Sequence, residues 1–220
     1  LREEGLMLAS RIAEKTGAKL FCEVFPTRLE RGAGLPHVER IAYLAEMAGV
    51  QLAGYDHLIL VDAKEPVSFF AYPGKKSYLI PEGCTPHHLV KPDEDAIESL
   101  RRLVDAAGAA AIAPKLQTAE RPKLPSGSLS AAKVCQAIGA LLPERAIISD
   151  EAQTSGVMLP SSTAGAPRHD VLTLTGGAIG QGLPVAIGAA IAGNDRPVIA
   201  LVGDGTAMYT IQSLWTIVAE

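Results

Sequence analysis

The chain has 220 residues, 48% hydrophobic and 20% charged, which suits folded globular material forming one large or two modest domains. A formal net charge of -4, no run of Lys or Arg, and only 5% aromatic residues exclude general nucleic-acid binding and a base-stacking surface. No apolar stretch approaches the roughly 20 residues that span a bilayer, so a membrane partner is not expected.

The N-terminus, LREEGLMLASRIAEKTG, is an amphipathic helix pattern and not a signal peptide. Leu6, Leu8, Ile12 and Ala13 supply its apolar face, and Gly17 closes it. Lys19–Val24 then reads as a short buried strand, Phe25–His37 as a loop at its carboxyl end, and Val38–Leu52 as a helix carrying Ile41, Leu44, Ala45 and Ala48 at helical spacing. His57–Val61 is the next predicted strand, ending at Asp62, and Ser77–Ile80 a third, shorter one. Lys91-Pro92-Asp93 opens a helix with Asp93, Glu94 and Asp95 near its positive end. Alternating strands and helices predict a parallel α/β domain over residues 1–112. It lacks G-x-G-x-x-G, so a dinucleotide fingerprint is absent. The loop Arg31-Gly32-Ala33-Gly34 is of a kind that can touch a phosphate but mostly serves turn geometry.

From Ala113 to Ser128 apolar periodicity stops and Pro114, Pro122 and Pro125 accumulate, which marks a linker over residues 113–128. A second α/β unit, residues 129–220, begins with helix Leu129–Leu142 and strand Ala146–Ser149. The polar loop Asp150-Glu151-Ala152-Gln153-Thr154-Ser155 follows. Val171–Glu220 then reads as strand, glycine-rich turn, small-residue helix, strand Pro197–Val202, the turn Gly203-Asp204-Gly205-Thr206 and a further helix. The unbroken apolar run Pro197–Val202 suits a parallel strand covered on both faces, and Trp215, Leu214 and Val218 suit a core. The fold class is therefore α/β, with two parallel-sheet domains. The sequence starts without Met and stops inside a predicted helix, so a piece of a longer polypeptide is expected.

Cys22, Cys84 and Cys135 form no CxxC or Cys/His cluster, which favours reduced structural thiols in a cytoplasmic protein over a zinc site. Histidines 37, 57, 87, 88 and 169 show no metal spacing, and His87-His88 reads as part of a solvated loop. Ser161-Ser162 lacks the G-x-S-x-G context of a hydrolase elbow. The chemistry concentrates at Asp204. Ligands of open α/β sheets bind at the carboxyl ends of strands. There a helix N-terminus offers N–H groups to an anion, flanking glycines allow close approach, and Asp204 adds a hard oxygen for Mg²⁺. The plainer role for Asp204 is a helix cap, worth about 1 kcal/mol.

GGAIGQGLPVAIGAAIA followed by VGDGTAMYTIQSLWT resembles the diphosphate-binding domain of thiamine-diphosphate (ThDP) enzymes, above all acetolactate synthase large subunits and benzoylformate decarboxylases. The resemblance covers the central domain less specifically, through FPTRLERGAGLPHVER and LAGYDHLILVDAKEPVSFFAYPGK. It implies ThDP and Mg²⁺ as cofactors. Some members bind FAD in the central domain, which nothing in this sequence supports. By resemblance Asp204 is the metal ligand, while Gly205 and Thr206, and less securely Gln153 and Thr154, meet the diphosphate. Gly177 offers a carbonyl to the aminopyrimidine, Ala178 belongs to the same cofactor-binding turn, and Ile179 props the cofactor in a bent shape. The plainer reading of Ile179 is core packing, and that of Gln153 and Thr154 a capped polar loop. The family's second metal-ligating residue, an Asn, falls beyond Glu220, and its catalytic Glu lies in a separate pyrimidine domain, so no catalytic residue is expected here. The expectation is an incomplete, inactive piece of a decarboxylase or carboligase of 2-keto acids, working as a homodimer or homotetramer. Acetolactate synthesis is preferred over benzoylformate decarboxylation, and a non-catalytic α/β scaffold is the rival of a different class.

Overall fold

A computed structural model describes residues 1–219, which fall into two compact units. Glu220, the last residue of the predicted C-terminal helix, lies outside the described residues.

The first unit takes Glu3–Val24 and Val38–Pro114. Helix α1 (Glu3–Thr16) carries Glu3 and Glu4 in its first turn and Lys15 in its last, matching the helix dipole. Gly17 ends it by donating to the Ala13 carbonyl at 2.8 Å. The expected strand 19–24 shrinks to β1 (Phe21–Cys22). The chain then contributes residues 25–37, with strand β2 (Leu29–Arg31), to the second unit. It returns with β3 (Glu39–Arg40), which pairs in parallel with β1. The predicted helix 38–52 is therefore shortened to α2 (Ala45–Leu52). The physical reason is local: Glu39 and Ile41 spend their N–H groups on the Leu20 and Cys22 carbonyls, and the Gln51 side chain accepts from Ala42 N and donates to the Arg40 carbonyl.

Strand β4 (His57–Val61) matches expectation, but its parallel partner is β5 (Thr85–Val90), the stretch read as a loop around His87-His88. Pro86 and two histidines disguise the strand. Residues 77–80 make only a single antiparallel bridge, Val67 with Tyr78. The next helix, α3 (Ala96–Ala106), starts later than Lys91-Pro92-Asp93 suggests. Asp95 is its N-cap, accepting from Ile97 N at 2.9 Å and Glu98 N at 3.0 Å. Ile12 of α1 packs with Leu100 and Val104 of α3 and with Ala109 to form the core of this unit. Truncating a buried leucine such as Leu100 costs about 2–5 kcal/mol.

The second unit joins residues 25–37 to everything from Lys115 onward. Its linker-like start leads to α4 (Ala131–Leu141), capped by the Ser130 hydroxyl, which accepts from Lys133 N. Then come β6 (Ile147–Glu151), the short helix α5 (Leu159–Ser162), β7 (His169–Thr173), α6 (Gly182–Ala192), β8 (Val198–Val202), the four-residue turn of helix α7 (Asp204–Ala207) and α8 (Ser213–Ala219). The sheet order is β2-β7-β6-β8: β7, β6 and β8 are mutually parallel and β2 is an antiparallel edge strand. Every residue of β6 is buried, and the core gathers Cys135, Leu142, Ile148, Leu159 and Val171 about it.

Three expectations are corrected in this unit. Strand β6 runs on to Glu151, so Asp150 and Glu151 belong to the sheet and are buried, not to the polar loop. Strand β8 is a half-exposed sheet edge among the described residues, not covered on both faces. Trp215 is 81% exposed and Val218 87%, so the Trp215–Leu214–Val218 face is no core of this chain. The glycine loop 31–34 is spoken for by protein: Ala33 N donates to the Ala166 carbonyl, Gly34 N to that of Gln117, and Arg31 to that of Pro160. That leaves those N–H groups no role in holding a phosphate.

Candidate functional site

The chain leaves β6, moves to β7 on one side and then crosses to β8 on the other. Such a reversal across a parallel sheet creates the crevice at the carboxyl ends of the strands where α/β folds bind ligands. Three turns meet this edge: 152–156 after β6, 174–181 after β7 and 203–206 after β8.

One side chain ties them together. Glu151, the last residue of β6, is 1% exposed. Its Oε1 accepts from Gly180 N at 2.5 Å and its Oε2 from Gly182 N at 2.6 Å, while its backbone carbonyl accepts from Gly203 N at 3.2 Å. A single buried residue thus reaches the turn after β7, the start of α6 and the turn after β8. A buried carboxylate without such partners would be strongly disfavoured. The glycines are required by this closeness. A Cβ on Gly182 would sit 2.6 Å from Glu151 Oε2 and 3.0 Å from Val202 Cγ2. Gly180 has φ +94 and would bring a Cβ to 2.6 Å from that of Tyr209. Thr210 secures the same turn from the other side, its hydroxyl donating to the Gly180 carbonyl at 2.6 Å. Below the turn, Ser149 donates to the Gly182 carbonyl at 2.8 Å and Gln181 Nε2 to that of Thr173 at 2.8 Å.

All eight residues singled out for the cofactor lie on this edge. Gln153, with φ 38, and Thr154 are exposed on the turn after β6. Gly177, Ala178 and Ile179 occupy the turn after β7, where Gly177 N donates to the Leu174 carbonyl at 2.9 Å. Ile179 is 52% exposed, which is not the environment of a core residue. Asp204, Gly205 and Thr206 follow β8. Asp204 is not a helix cap: Gly203 holds that position, and Thr206 Oγ1 bonds the Gly203 carbonyl at 2.9 Å. The helix expected after Gly203-Asp204-Gly205 is split into the single turn of α7 and, further on, α8, so the turn itself offers local N–H groups and little macrodipole.

A cation-bridged diphosphate fits these residues. The Asp204 carboxylate is exposed and meets no protein partner among the described residues, and an added Cβ on Gly205 would meet nothing within 4 Å. A hard cation accepts such a carboxylate as one of several oxygen ligands. Among the described residues no three His, Cys, Asp or Glu side chains cluster as a metal site. Two surface cavities of this unit, one beside Pro125 and Leu142 and one beside Ala33 and Arg168, are lined by none of the eight residues.

Residues 150–220 match the thiamine pyrophosphate enzyme, C-terminal TPP binding domain family. All eight residues placed on the edge fall within that matched stretch. The chain is 55% identical over 215 residues to the "Putative acetolactate synthase large subunit" of Mycobacterium tuberculosis, covering 98% of this chain and 41% of that protein. A 44-residue stretch, 20% of this chain and 8% of the relative, is 50% identical to the alpha-keto-acid decarboxylase of Mycobacterium avium. In fold it is similar to the thiamine diphosphate-dependent 4-hydroxybenzoylformate decarboxylase of Rhodococcus jostii, with TM-score 0.70 at 24% identity over 95% of this chain and 42% of that one. The benzoylformate decarboxylase of Polynucleobacter necessarius gives TM-score 0.62 at 19% identity over 95% and 43%. The chain thus spans about two fifths of the length of the relatives that it matches along nearly its whole length. The chain itself is a mixed α/β protein with mainly parallel sheets. No helix among its described residues is long and apolar enough to cross a membrane.

What the sequence reading missed here is Glu151. In the sequence it stands second in a polar stretch, Asp150–Ser155, that suggests a loop. The signal that could have found it is a carboxylate directly after an apolar strand, in a chain whose next glycine turn has N–H groups to satisfy.

Proposed function

We propose that this chain forms the diphosphate-binding part of a ThDP- and Mg²⁺-dependent enzyme that decarboxylates a 2-keto acid and joins the product to a second one, as an acetolactate synthase does. The observation that carries this reading is the edge where three turns converge on Glu151 and leave Asp204 exposed beside an open Gly205. Asp204 would hold Mg²⁺, and Gly205 and Thr206, with Gln153 and Thr154, would meet the diphosphate. The Gly177 carbonyl, Ala178 and Ile179 would face the aminopyrimidine and keep the cofactor bent. ThDP, when bound, supplies the electron sink for the decarboxylation. This chain's residues bind and orient it, and a glutamate from a pyrimidine domain would start proton transfer across a subunit interface. The intact protein would therefore be a homodimer or homotetramer, cytoplasmic, with the segment 1–112 as its central domain, 113–128 as linker and 129–220 in its cofactor domain. Residues 1–220 alone would be inactive.

The 50% local identity to an alpha-keto-acid decarboxylase favours a second reading, a benzoylformate decarboxylase-like lyase that stops after loss of CO₂. The test supplies the intact protein with ThDP, Mg²⁺ and a panel of 2-keto acids and follows CO₂ and coupled products. Acetolactate among the products supports the first reading, and CO₂ with an aldehyde as sole product supports the second. ThDP binding without turnover of any keto acid, or no ThDP binding at all, overturns both and leaves a scaffold module.

A further inference from the structure

We infer that Glu151 is the positioning residue of the cofactor edge, holding the turn that carries Gly177, Ala178 and Ile179 in register with the turn that carries Asp204. The inference rests on the ThDP reading above for its functional half. Its structural half stands alone.

The residues 177–179 have few other anchors. Gly177 N and Ala178 N bond only back into their own turn, at 2.9 and 3.4 Å. Four groups fix the turn and the start of α6 to the rest of the unit: Ser149 on the Gly182 carbonyl, Gln181 on the Thr173 carbonyl, Thr210 on the Gly180 carbonyl and Glu151 on Gly180 N and Gly182 N. Thr210 comes from the segment after β8, and Glu151 reaches the turn after β8 as well, through its backbone carbonyl and Gly203 N. It therefore sets the spacing between the two halves of the site. Both amide bonds end on a carboxylate, the stronger kind of hydrogen bond, and each holds one oxygen at one height. A carboxylate can accept from both amides at once. The isosteric carboxamide of Gln cannot, because its NH₂ would face one of the amide N–H groups and leave that donor unpaired. Glu151 itself does not reach the reacting atoms. Its effect passes through the turn.

The test uses Glu151→Gln in the intact protein, with Asp170→Asn as a control for general destabilisation, since Asp170 lies toward the opposite end of β7 and contacts none of the site residues. Amide hydrogen exchange without cofactor is read at peptides covering residues 174–182 and 203–206, and ThDP affinity is read by titration in Mg²⁺. In Glu151→Gln, exchange at 174–182 should rise about tenfold and ThDP should bind about tenfold more weakly, with both quantities little changed in Asp170→Asn. If Glu151→Gln does not fold, Thr210→Val, which releases the same turn from its other side, should show the same pattern in weaker form. Unchanged exchange at 174–182 overturns the inference. So does raised exchange with unaltered ThDP affinity, which would make Glu151 a structural residue only. If the unmodified protein fails to bind ThDP, the functional reading falls while the exchange result still decides whether Glu151 holds the turn.

Discussion

The guanidinium of Arg28 meets the buried carboxylate of Asp170 side by side, Nε to Oδ1 at 2.7 Å and Nη2 to Oδ2 at 2.8 Å. Arg196 reaches the same Oδ2 at 2.5 Å. Residues 142 positions apart in sequence are thus joined, and β2 is stitched onto β7 in the second unit. Removing the acceptor takes the carboxylate from both guanidinium groups, while Arg196 keeps its bonds to the Arg145 and Ala146 carbonyls. Arg28 is 36% exposed at its side chain and can recover water, so the loss is smaller than for a fully buried pair. Asp170→Ala should cost about 2 kcal/mol, read as a lowered denaturation midpoint.

Acid should weaken the same region in two stages. At Asp170 burial pushes the carboxyl up, but hydrogen bonds from Arg28 and Arg196, with their charges, together outweigh it and hold it low. A lowered carboxylate contributes stability above its unfolded value, about 3.9, and loses it as pH falls through the lower folded value. His169 is pushed down chiefly by burial, with Arg31 adding to the effect, against the Pro167 carbonyl and Asp170. Burying it neutral contributes stability above about 6.5 that fades as pH falls below that value. Denaturation midpoints should therefore drop between pH 7.5 and 5.5, and His169→Gln should flatten that drop while leaving the steeper loss below pH 4.

Two glycines of α6 should respond in opposite directions to the same change. Gly182→Ala places a methyl 2.6 Å from Glu151 Oε2 and 2.9 Å from its Cβ, inside a buried contact that cannot open freely. It should destabilise by about 1–3 kcal/mol and disturb cofactor binding. Gly188→Ala meets nothing within 4 Å and should stabilise by up to about 1 kcal/mol through helix propensity. Equal effects at both positions would mean that the Glu151 contact is not tight.

Much of this edge was legible in the sequence because local chemistry dictates it. Apolar runs such as Ile147-Ile148 and Val198–Val202, each followed by polar or glycine-rich turns, mark strand ends whatever lies far away in the chain. The turn Gly203-Asp204-Gly205-Thr206 stands out by its glycine and aspartate spacing after an apolar strand, whereas Gln153, Thr154, Gly177, Ala178 and Ile179 follow from the family resemblance alone. The rest depended on distant partners. Leu29-Glu30-Arg31 is too short and polar to announce a strand, and its partner, His169–Val171, is some 140 residues away. Thr85–Val90 hides its strand character behind Pro86 and two histidines. Trp215, Leu214 and Val218 have helical spacing, but periodicity says which residues share a face and not whether anything covers it. Glu151 escaped for the opposite reason: a charged residue reads as surface until its two amide donors are known.

The central claim concerns Asp204 and a Mg²⁺-bridged diphosphate, and calorimetric titration of ThDP into the intact protein, with and without Mg²⁺ and with Asp204→Ala in parallel, tests it most directly. The account predicts Mg²⁺-dependent binding that weakens by about tenfold or more when Asp204 is replaced. Binding that ignores Mg²⁺, or an Asp204→Ala protein that binds ThDP as tightly as the unmodified one, would contradict it.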